Sequence, residues 1–281
     1  MSGYLTGVLV AYFINVMIAY SVFTPAAAGI LNLGAAGFVA AGAYLSAWLA
    51  SKFLLQPVFT IPLAVAATFL LGIAVSLPII RTRGVYMVLA TIAFGEIVSG
   101  VVINIDAVGG AAGYPVRFFV GLPVITACCA AVVALTIYLF GTRFGLALRS
   151  IHDDEPVAAL FGVDVRRAKV FAFAIGAGIA GLGGALYAHH YTYIDIAYFN
   201  TAMSIYVLLY VLIGGTQTPF GPFIGAAFFS LLPEVLRGAE HWRYVIFAII
   251  IILVMAMRPE GILTRSNLRM LSRNKAGKAL S

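Results

Sequence analysis

Glu96 is the first residue whose chemistry needs an explanation, because it is an acidic side chain in the middle of an apolar run. It lies within Thr91-Ile92-Ala93-Phe94-Gly95-Glu96-Ile97. A carboxylate inside a membrane costs roughly 2.5–3.5 kcal/mol on insertion scales, so we expect it to face a bundle interior or water. Two interpretations stay open: a substrate contact or proton site, or a hydrogen-bonded strut between helices.

The polar segment from Gly141 to Lys169 is the second candidate site, because it contains a short helix with its own start and stop signals. Asp153 is a suitable N-cap, and the carboxylates of Asp154 and Glu155 suit the positive end of a helix. Gly162 is a suitable C-terminal stop, since glycine readily adopts the left-handed conformation. We therefore predict a helix of about two turns in this segment.

Three apolar side chains follow one face of this short helix: Val157, Leu160 and Phe161, at i, i+3 and i+4. A helix of two turns is marginal alone in water, so its apolar face needs a partner surface. The residues themselves leave open whether that surface is a groove on another protein or the underside of this chain.

His189, His190 and Asp195 are residue types that bind metals, but no HxxxH or HExxH spacing accompanies them. Tyrosines surround them, as is typical of a membrane interface, so we interpret the two histidines as interfacial. Cys128 and Cys129 are adjacent inside an apolar segment, where an ordinary disulfide does not form. We predict no metal site, and we expect the cysteines to be small buried apolar residues.

Long apolar segments must position all of these residues. Of 281 residues, 63% are hydrophobic and 10% are charged, whereas a soluble domain carries about 25% charged residues. Because about 20 apolar residues cross a membrane as a helix, we predict an all-α, polytopic bundle of about nine spans, with a range of eight to ten. The expected spans are 4–22, 27–50, 58–80, 85–104, 119–140, 170–190, 202–214, 222–236 and 243–257.

Cationic residues predict the orientation of these spans. Thirteen of the 17 Lys and Arg residues lie in the turn 81–83, the loop 141–169 and the tail 258–281. Alternating nine spans puts all three on one side, which the positive-inside rule makes cytoplasmic, with the N-terminus outside. No Lys or Arg precedes the first apolar run, so we expect an uncleaved first span. The net charge of +7 is thus a topology signal and does not indicate a nucleic-acid interface.

Small residues recur along the segment 170–190. Gly176, Ala180 and Gly184 fall four apart on one stripe, and Gly181 lies on the neighbouring stripe. Such a pattern lets helix backbones approach closely in lipid. We therefore favour a structural helix crossing over a pore-lining role.

Two segments interrupt the helical pattern with Gly and Pro, namely 25–37 and 213–222, and Asn32 lies in the first. Non-helical backbone at membrane depth is tolerated where it is buried in protein or lines a cavity. The second segment is either such a stretch or a turn between spans, and we favour the turn.

Motifs of catalysis are absent from the sequence. It has no G-x-x-x-x-G-K-[ST] phosphate loop and no G-x-S-x-G elbow. We therefore predict that the chain is not an enzyme and does not itself hydrolyse a nucleotide. A secondary transporter that uses Glu96 as its proton or ion site is the alternative, although we find no inverted repeat.

Several ordered segments resemble one family of transport proteins. The stretch from Arg143-Phe144-Gly145 through Asp153-Asp154-Glu155 to Gly162-Val163 resembles the cytoplasmic EAA-type loop of ABC importer permeases. Within that group it is most similar to LivM-type subunits of branched-chain amino-acid importers. The likeness covers most of the chain and continues in Arg83-Gly84-Val85-Tyr86, Thr91-Ile92-Ala93-Phe94-Gly95-Glu96-Ile97, Leu212-Ile213-Gly214-Gly215-Thr216-Gln217-Thr218-Pro219-Phe220-Gly221-Pro222, Leu232-Pro233-Glu234 and Arg258-Pro259-Glu260-Gly261-Ile262-Leu263.

The resemblance implies one transmembrane permease domain over 1–281, with the coupling loop 141–169 and the basic tail 258–281, in the bacterial cytoplasmic (inner) membrane. It implies four partners: a second permease chain of the LivH type, two ATP-binding cassette ATPases and a solute-binding protein. No cofactor is expected on this chain, since ATP and Mg²⁺ would bind the ATPases. The solute would be a branched-chain amino acid or a related small amino acid, carboxylic acid or amide. Segments 25–34 and 108–113 depart from the family pattern, which leaves the solute open.

The resemblance also implies roles for two sets of residues. The short cytoplasmic helix would dock into the ATPase and couple ATP hydrolysis to transport. Its expected coupling residues are Asp153, Asp154, Glu155, Val157, Ala158, Leu160, Phe161 and Gly162. The candidates for the substrate path are Asn32, Thr91 and Glu96.

Overall fold

The computed structural model describes residues 3–82 and 84–235, together with positions 245, 246, 248, 249, 251 and 252. Helices dominate this part of the chain, which confirms the predicted all-α class. The helices are α1 (Gly3–Ala26), α2 (Ala35–Lys52), α3 (Pro57–Ile79), α4 (Val85–Ile103), α5 (Leu122–Gly141), α6 (Arg143–Asp153), α7 (Glu155–Leu160), α8 (Val165–Tyr191), α9 (Thr201–Gly214) and α10 (Gly221–Val235). The tail 258–281, Arg83 and most of the predicted ninth span, 243–257, lie outside the described residues.

Six helical stretches of the described chain are both long and apolar enough to cross a membrane. They are Gly3–Ala26, Pro57–Ile79, Val85–Ile103, Leu122–Gly141, Val165–Tyr191 and Ile196–Gly214, the last including a 3₁₀ turn before α9. α10 is apolar but shorter, and α2 has 18 residues. These helices make the chain a multi-pass membrane protein.

The beginning of the second span differs from the prediction. Residues 27–34 are not helical, and α2 begins at Ala35 rather than at 27. Gly29 takes a left-handed φ of +76°, which ends the α1 turn and redirects the chain. Within the segment 213–222 a turn joins two helices, since α9 ends at Gly214 and α10 begins at Gly221.

The core of the bundle is α8, which packs against α1, α2 and α3. Of its most apolar stretch, 72% is buried, whereas the corresponding figure for α4 is 11%. Glycines make the close contacts: a Cβ on Gly176 would collide with the carbonyl of Ser21 in α1, and one on Gly184 with the carbonyl of Val39 in α2. Gly181 lies equally close to Thr68 of α3. α4, by contrast, lies at the edge of the described bundle.

The segment between α5 and α8 corrects the sequence analysis in two respects. Residues that we treated as a loop form α6, an amphipathic helix that buries Gly145, Leu148 and Ile151. Asp153 is the last residue of α6 and not the N-cap of the next helix, which is Asp154. The second helix therefore begins one residue later than we expected.

On the opposite side of the bundle, the connection between α4 and α5 is pinned to the end of α8. Strand β1 (Tyr114–Pro115) pairs antiparallel with β2 (Tyr193–Ile194), with Tyr114 opposite Ile194. Gly109 and Gly113, at φ of +89° and +76°, allow the tight turns that precede β1.

Candidate functional site

α7 is a short capped helix that an ion pair joins to α8. The Asp154 carboxylate accepts a hydrogen bond from the backbone N–H of Val157 at 3.0 Å, which closes the N-terminus. The Nζ of Lys169 in α8 lies 2.6 Å from the Glu155 carboxylate, and the Lys169 side chain is only 13% exposed. Gly162 ends the helix at a φ of +83°, the left-handed conformation that the sequence predicted.

The apolar side chains of α7 point away from the described chain. Leu160 and Phe161 are 86% and 85% exposed, and Val157 is 44% exposed. Ala158 is the residue of α7 that is buried against the bundle. Within the described structure, these three side chains therefore do not fold back onto the underside of the chain.

A cavity of about 470 Å³ lies beside α7 and connects it to the membrane-spanning part. Glu155, Pro156 and Lys169 line one side of the cavity, whereas Gly29 and Met87 line the other. Gly29 follows α1, and Met87 belongs to the first turn of α4. The cavity thus separates α7 from the end of α1 and from the beginning of α4, the helix that carries Thr91 and Glu96.

The N-terminus of α2 is the second site, where three side chains satisfy backbone N–H groups in the middle of the bundle. Asn32 Oδ1 accepts from the N–H of Gly34 at 2.9 Å, and Thr91 Oγ1 of α4 accepts from the N–H of Leu33 at 3.1 Å. Ser204 Oγ of α9 accepts from the N–H of Ala36 at 2.9 Å. These bonds explain how irregular backbone is tolerated here, since unpaired N–H groups in a membrane are costly.

Glu96 lies five residues after Thr91 on α4, a rise of about 7.5 Å. Its Oε1 accepts a hydrogen bond of 2.5 Å from the hydroxyl of Thr201, the first residue of α9. Helix N-termini favour negative charge, so α9 stabilises the carboxylate. Glu96 is exposed on the described chain, so the expectation that it faces a bundle interior or water stays a prediction.

α4 and α9 therefore contribute side chains both to the N-terminus of α2 and to the hydrogen bond of Glu96. Thr91 and Glu96 belong to α4, while Ser204 and Thr201 belong to α9, one turn apart. Asn32 and Thr91 meet at the α2 N-terminus, and Glu96 lies beyond them on the open face of α4. The sequence analysis missed Ser204 and Thr201, although two hydroxyl residues at i, i+3 in an apolar helix were a usable signal.

His189 corrects the interpretation of the histidines as interfacial, because it is completely buried. Its Nδ1 donates to the carbonyl of Phe118 at 3.0 Å, and its Nε2 lies 3.0 Å from both Ser46 Oγ and Thr60 Oγ1. His190 Nδ1 donates to the carbonyl of Val120 at 2.9 Å. Among the described residues, no three His, Cys, Asp or Glu side chains are grouped as metal ligands, and both cysteines are free.

The apolar helical bundle, with an exposed short helix outside its spans and a polar junction at the N-terminus of α2, defines the chain as a polytopic membrane protein. The family model described as "Branched-chain amino acid transport system / permease component" matches residues 4–255. The chain belongs to this family. No solved structure matches it significantly.

Individual relatives agree with the family. The chain is 28% identical over 279 residues to the high-affinity branched-chain amino acid transport system permease protein LivM of Escherichia coli K12, and 27% identical over 276 residues to LivM of Salmonella typhimurium. Each alignment covers 85% of this chain and 65% of the relative, so the chain spans about two thirds of their length. The LivH permease of E. coli K12 is 30% identical over 138 residues, which are 48% of this chain and 44% of LivH.

Proposed function

We propose that this chain is one membrane-spanning subunit of an ATP-driven ABC importer in the cytoplasmic membrane. The observation that carries the proposal is α7, a capped helix outside the spans whose Leu160 and Phe161 are 86% and 85% exposed. Exposed apolar anchors at helical spacing favour insertion into a groove on a partner. An ATPase subunit is the partner that a permease lacking a phosphate loop requires.

The other partners follow from the family and from the uncovered faces of the bundle. A second permease chain of the LivH type would cover α4, whose exposed carboxylate should not face lipid. Two ATP-binding cassette ATPases would bind below, with ATP and Mg²⁺ on those chains, and a solute-binding protein would dock on the opposite side. The N-terminus would then be outside and the C-terminus cytoplasmic.

The proposed solute path runs along the open face of α4, past Glu96 and the N-terminus of α2. Asn32 and Thr91 hold the irregular backbone of this path, and Glu96 with Thr201 supplies its charged group. The proposed solutes are branched-chain amino acids or related small amino acids, carboxylic acids or amides. Closure of the ATPase pair would move α7 and, across the adjoining cavity, the ends of α1 and α4.

The test is the variant Leu160→Asp in the complex of this chain with its partners, compared with His152→Asp on the exposed end of α6. Truncation of a buried anchor typically costs 2 kcal/mol or more, about thirtyfold in affinity. We expect Leu160→Asp to insert normally in the membrane but to lose the ATPase on purification, together with uptake. His152→Asp should retain both.

Full ATPase recovery and normal uptake with Leu160→Asp would overturn the assignment of α7. Uptake that persists when the ATPase is absent, and that requires Glu96 and a proton gradient, would instead support secondary transport.

A further inference from the structure

A groove of about 380 Å³ lies where the end of α3 meets the beginning of α8. It is lined by Leu77, Asp164, Arg166, Arg167, Val170 and Phe171. The solute path and α7 are built from other residues. The groove combines guanidinium groups with apolar side chains.

The charges of the groove leave an excess of one positive charge. Asp164 caps α8 by accepting from the N–H of Arg167, and its other oxygen lies 3.0 Å from Arg167 Nε. No ion pair of Arg166 occurs within the described residues, and the Arg167 side chain remains 82% exposed. One carboxylate therefore faces two guanidinium groups, and the groove can accept an anionic group of one net charge.

The apolar side chains lie one helical turn further into the membrane. Arg166 and Val170, and likewise Arg167 and Phe171, are i, i+4 pairs that share a face of α8. The step is about 6 Å along the axis. Phe171 is 50% exposed, and Leu77 of α3 beside it is 40% exposed. A ligand in the groove would thus meet cations at its polar end and hydrocarbon beyond it.

The neighbouring cation Lys169 shows that this arrangement is specific to one face. Lys169 is directed to the other side of α8, where it pairs with Glu155 and is largely covered. Within the described ranges, no such partner helix covers Arg166 and Arg167. The beginning of α8 therefore divides its cations between an internal ion pair and an open groove.

We propose that this groove binds an anionic phospholipid, with the phosphodiester on Arg166 and Arg167 and an acyl chain against Phe171 and Leu77. Guanidinium groups bind phosphate oxygens in a bidentate manner. Basic pockets between membrane helices are suited to anionic headgroups. The site lies at the beginning of α8, a helix long and apolar enough to cross a membrane, and does not depend on which solute the protein transports.

The experiment is lipid titration of the purified full chain by native mass spectrometry, with phosphatidylglycerol and phosphatidylcholine as probes. We expect wild-type protein to prefer phosphatidylglycerol and Arg166→Gln/Arg167→Gln to lose about tenfold in affinity for it, with phosphatidylcholine unaffected. The matched control Lys52→Gln/Arg143→Gln removes two exposed cations outside the groove and should keep the preference. Arg166→Gln alone, which spares the Asp164 pair, should give an intermediate loss.

Two further arms separate a lipid from a free phosphate compound and identify the apolar part. Millimolar glycerol 3-phosphate should not displace phosphatidylglycerol, whereas Phe171→Ser should weaken the lipid several-fold with both arginines intact. The proposal is overturned if the control weakens binding as much as the arginine variant does. Displacement by glycerol 3-phosphate, or full affinity in Phe171→Ser, would equally overturn it.

Discussion

At the scale of single residues, substitution of Glu96 distinguishes two roles of this side chain: a charged group in the solute path, or a structural strut between helices. Thr201 donates to Glu96 Oε1, and a glutamine oxygen can accept the same hydrogen bond, although a neutral acceptor makes it weaker. Glu96→Gln therefore removes the charge while it keeps the contact between α4 and α9. Because the residue is exposed on the described chain, we expect Glu96→Gln to lower solute uptake by the reconstituted complex about tenfold without a loss of thermal stability.

The companion variant Thr201→Val removes the hydrogen bond and keeps the charge. It should retain most of the uptake that Glu96→Gln loses. If Glu96→Gln transports normally while Thr201→Val unfolds, the strut interpretation holds and the charge has no role in the path.

The buried His189 gives a second prediction at this scale. The carbonyl of Phe118 can only accept, so Nδ1 carries the hydrogen and Nε2 is an acceptor; Ser46 donates to Thr60 Oγ1, which leaves the Thr60 hydroxyl to donate to Nε2. Ser46→Ala/Thr60→Val leaves this buried nitrogen without a donor, which costs about 1–3 kcal/mol. We expect a lower thermal midpoint in detergent. The exposed hydrogen bonds of Thr126 to Pro123 and of Asn104 to Gly100 offer a control, since Thr126→Val/Asn104→Ala should shift the midpoint little.

At the scale of helices, close packing of α8 depends on the absence of side chains at its glycines. A Cβ on Gly184 would meet the backbone of Val39, which cannot move without displacing α2. Overpacking of this kind costs about 1–3 kcal/mol, so Gly184→Ala should lower the thermal midpoint. Gly100→Ala on α4 is the matched control, because nothing lies within 4 Å of its added Cβ. It should be neutral or slightly stabilising, since alanine favours helix.

An equal fall of the midpoint for the two alanine variants would contradict this account. It would mean that glycine flexibility matters rather than the close approach of α8 to α2.

At the scale of the whole molecule, topology can be tested by cysteine labelling in intact cells. In a background with Cys128 and Cys129 replaced, a cysteine at Ala111 in the α4–α5 connection should react with an impermeant reagent from outside. Cysteines at His152 in α6 and at Ala276 in the tail should react only after the cells are opened, because cations cluster on their side. External labelling of a cysteine at His152 or Ala276 would contradict the predicted orientation.

The sequence alone determined the helical class, most span positions and the close packing of α8, because apolar length and small-residue spacing are local properties of each helix. It also determined the stop at Gly162, since the left-handed conformation depends on residue type. The start of α7 was missed by one residue, because Asp153 and Asp154 are equally good caps and only the end of α6 selects between them.

The tertiary structure decided which face of each helix is covered by its neighbours. His189 is buried because other helices pack around α8 on several sides. Glu96 is exposed because α4 lies at the edge of the described bundle. The late start of α2 likewise depends on Thr91 and Ser204, which come from helices distant in sequence and supply the acceptors for its first N–H groups. Periodicity within one segment cannot show such partners, because burial and hydrogen bonding of a side chain depend on the helices that pack around it.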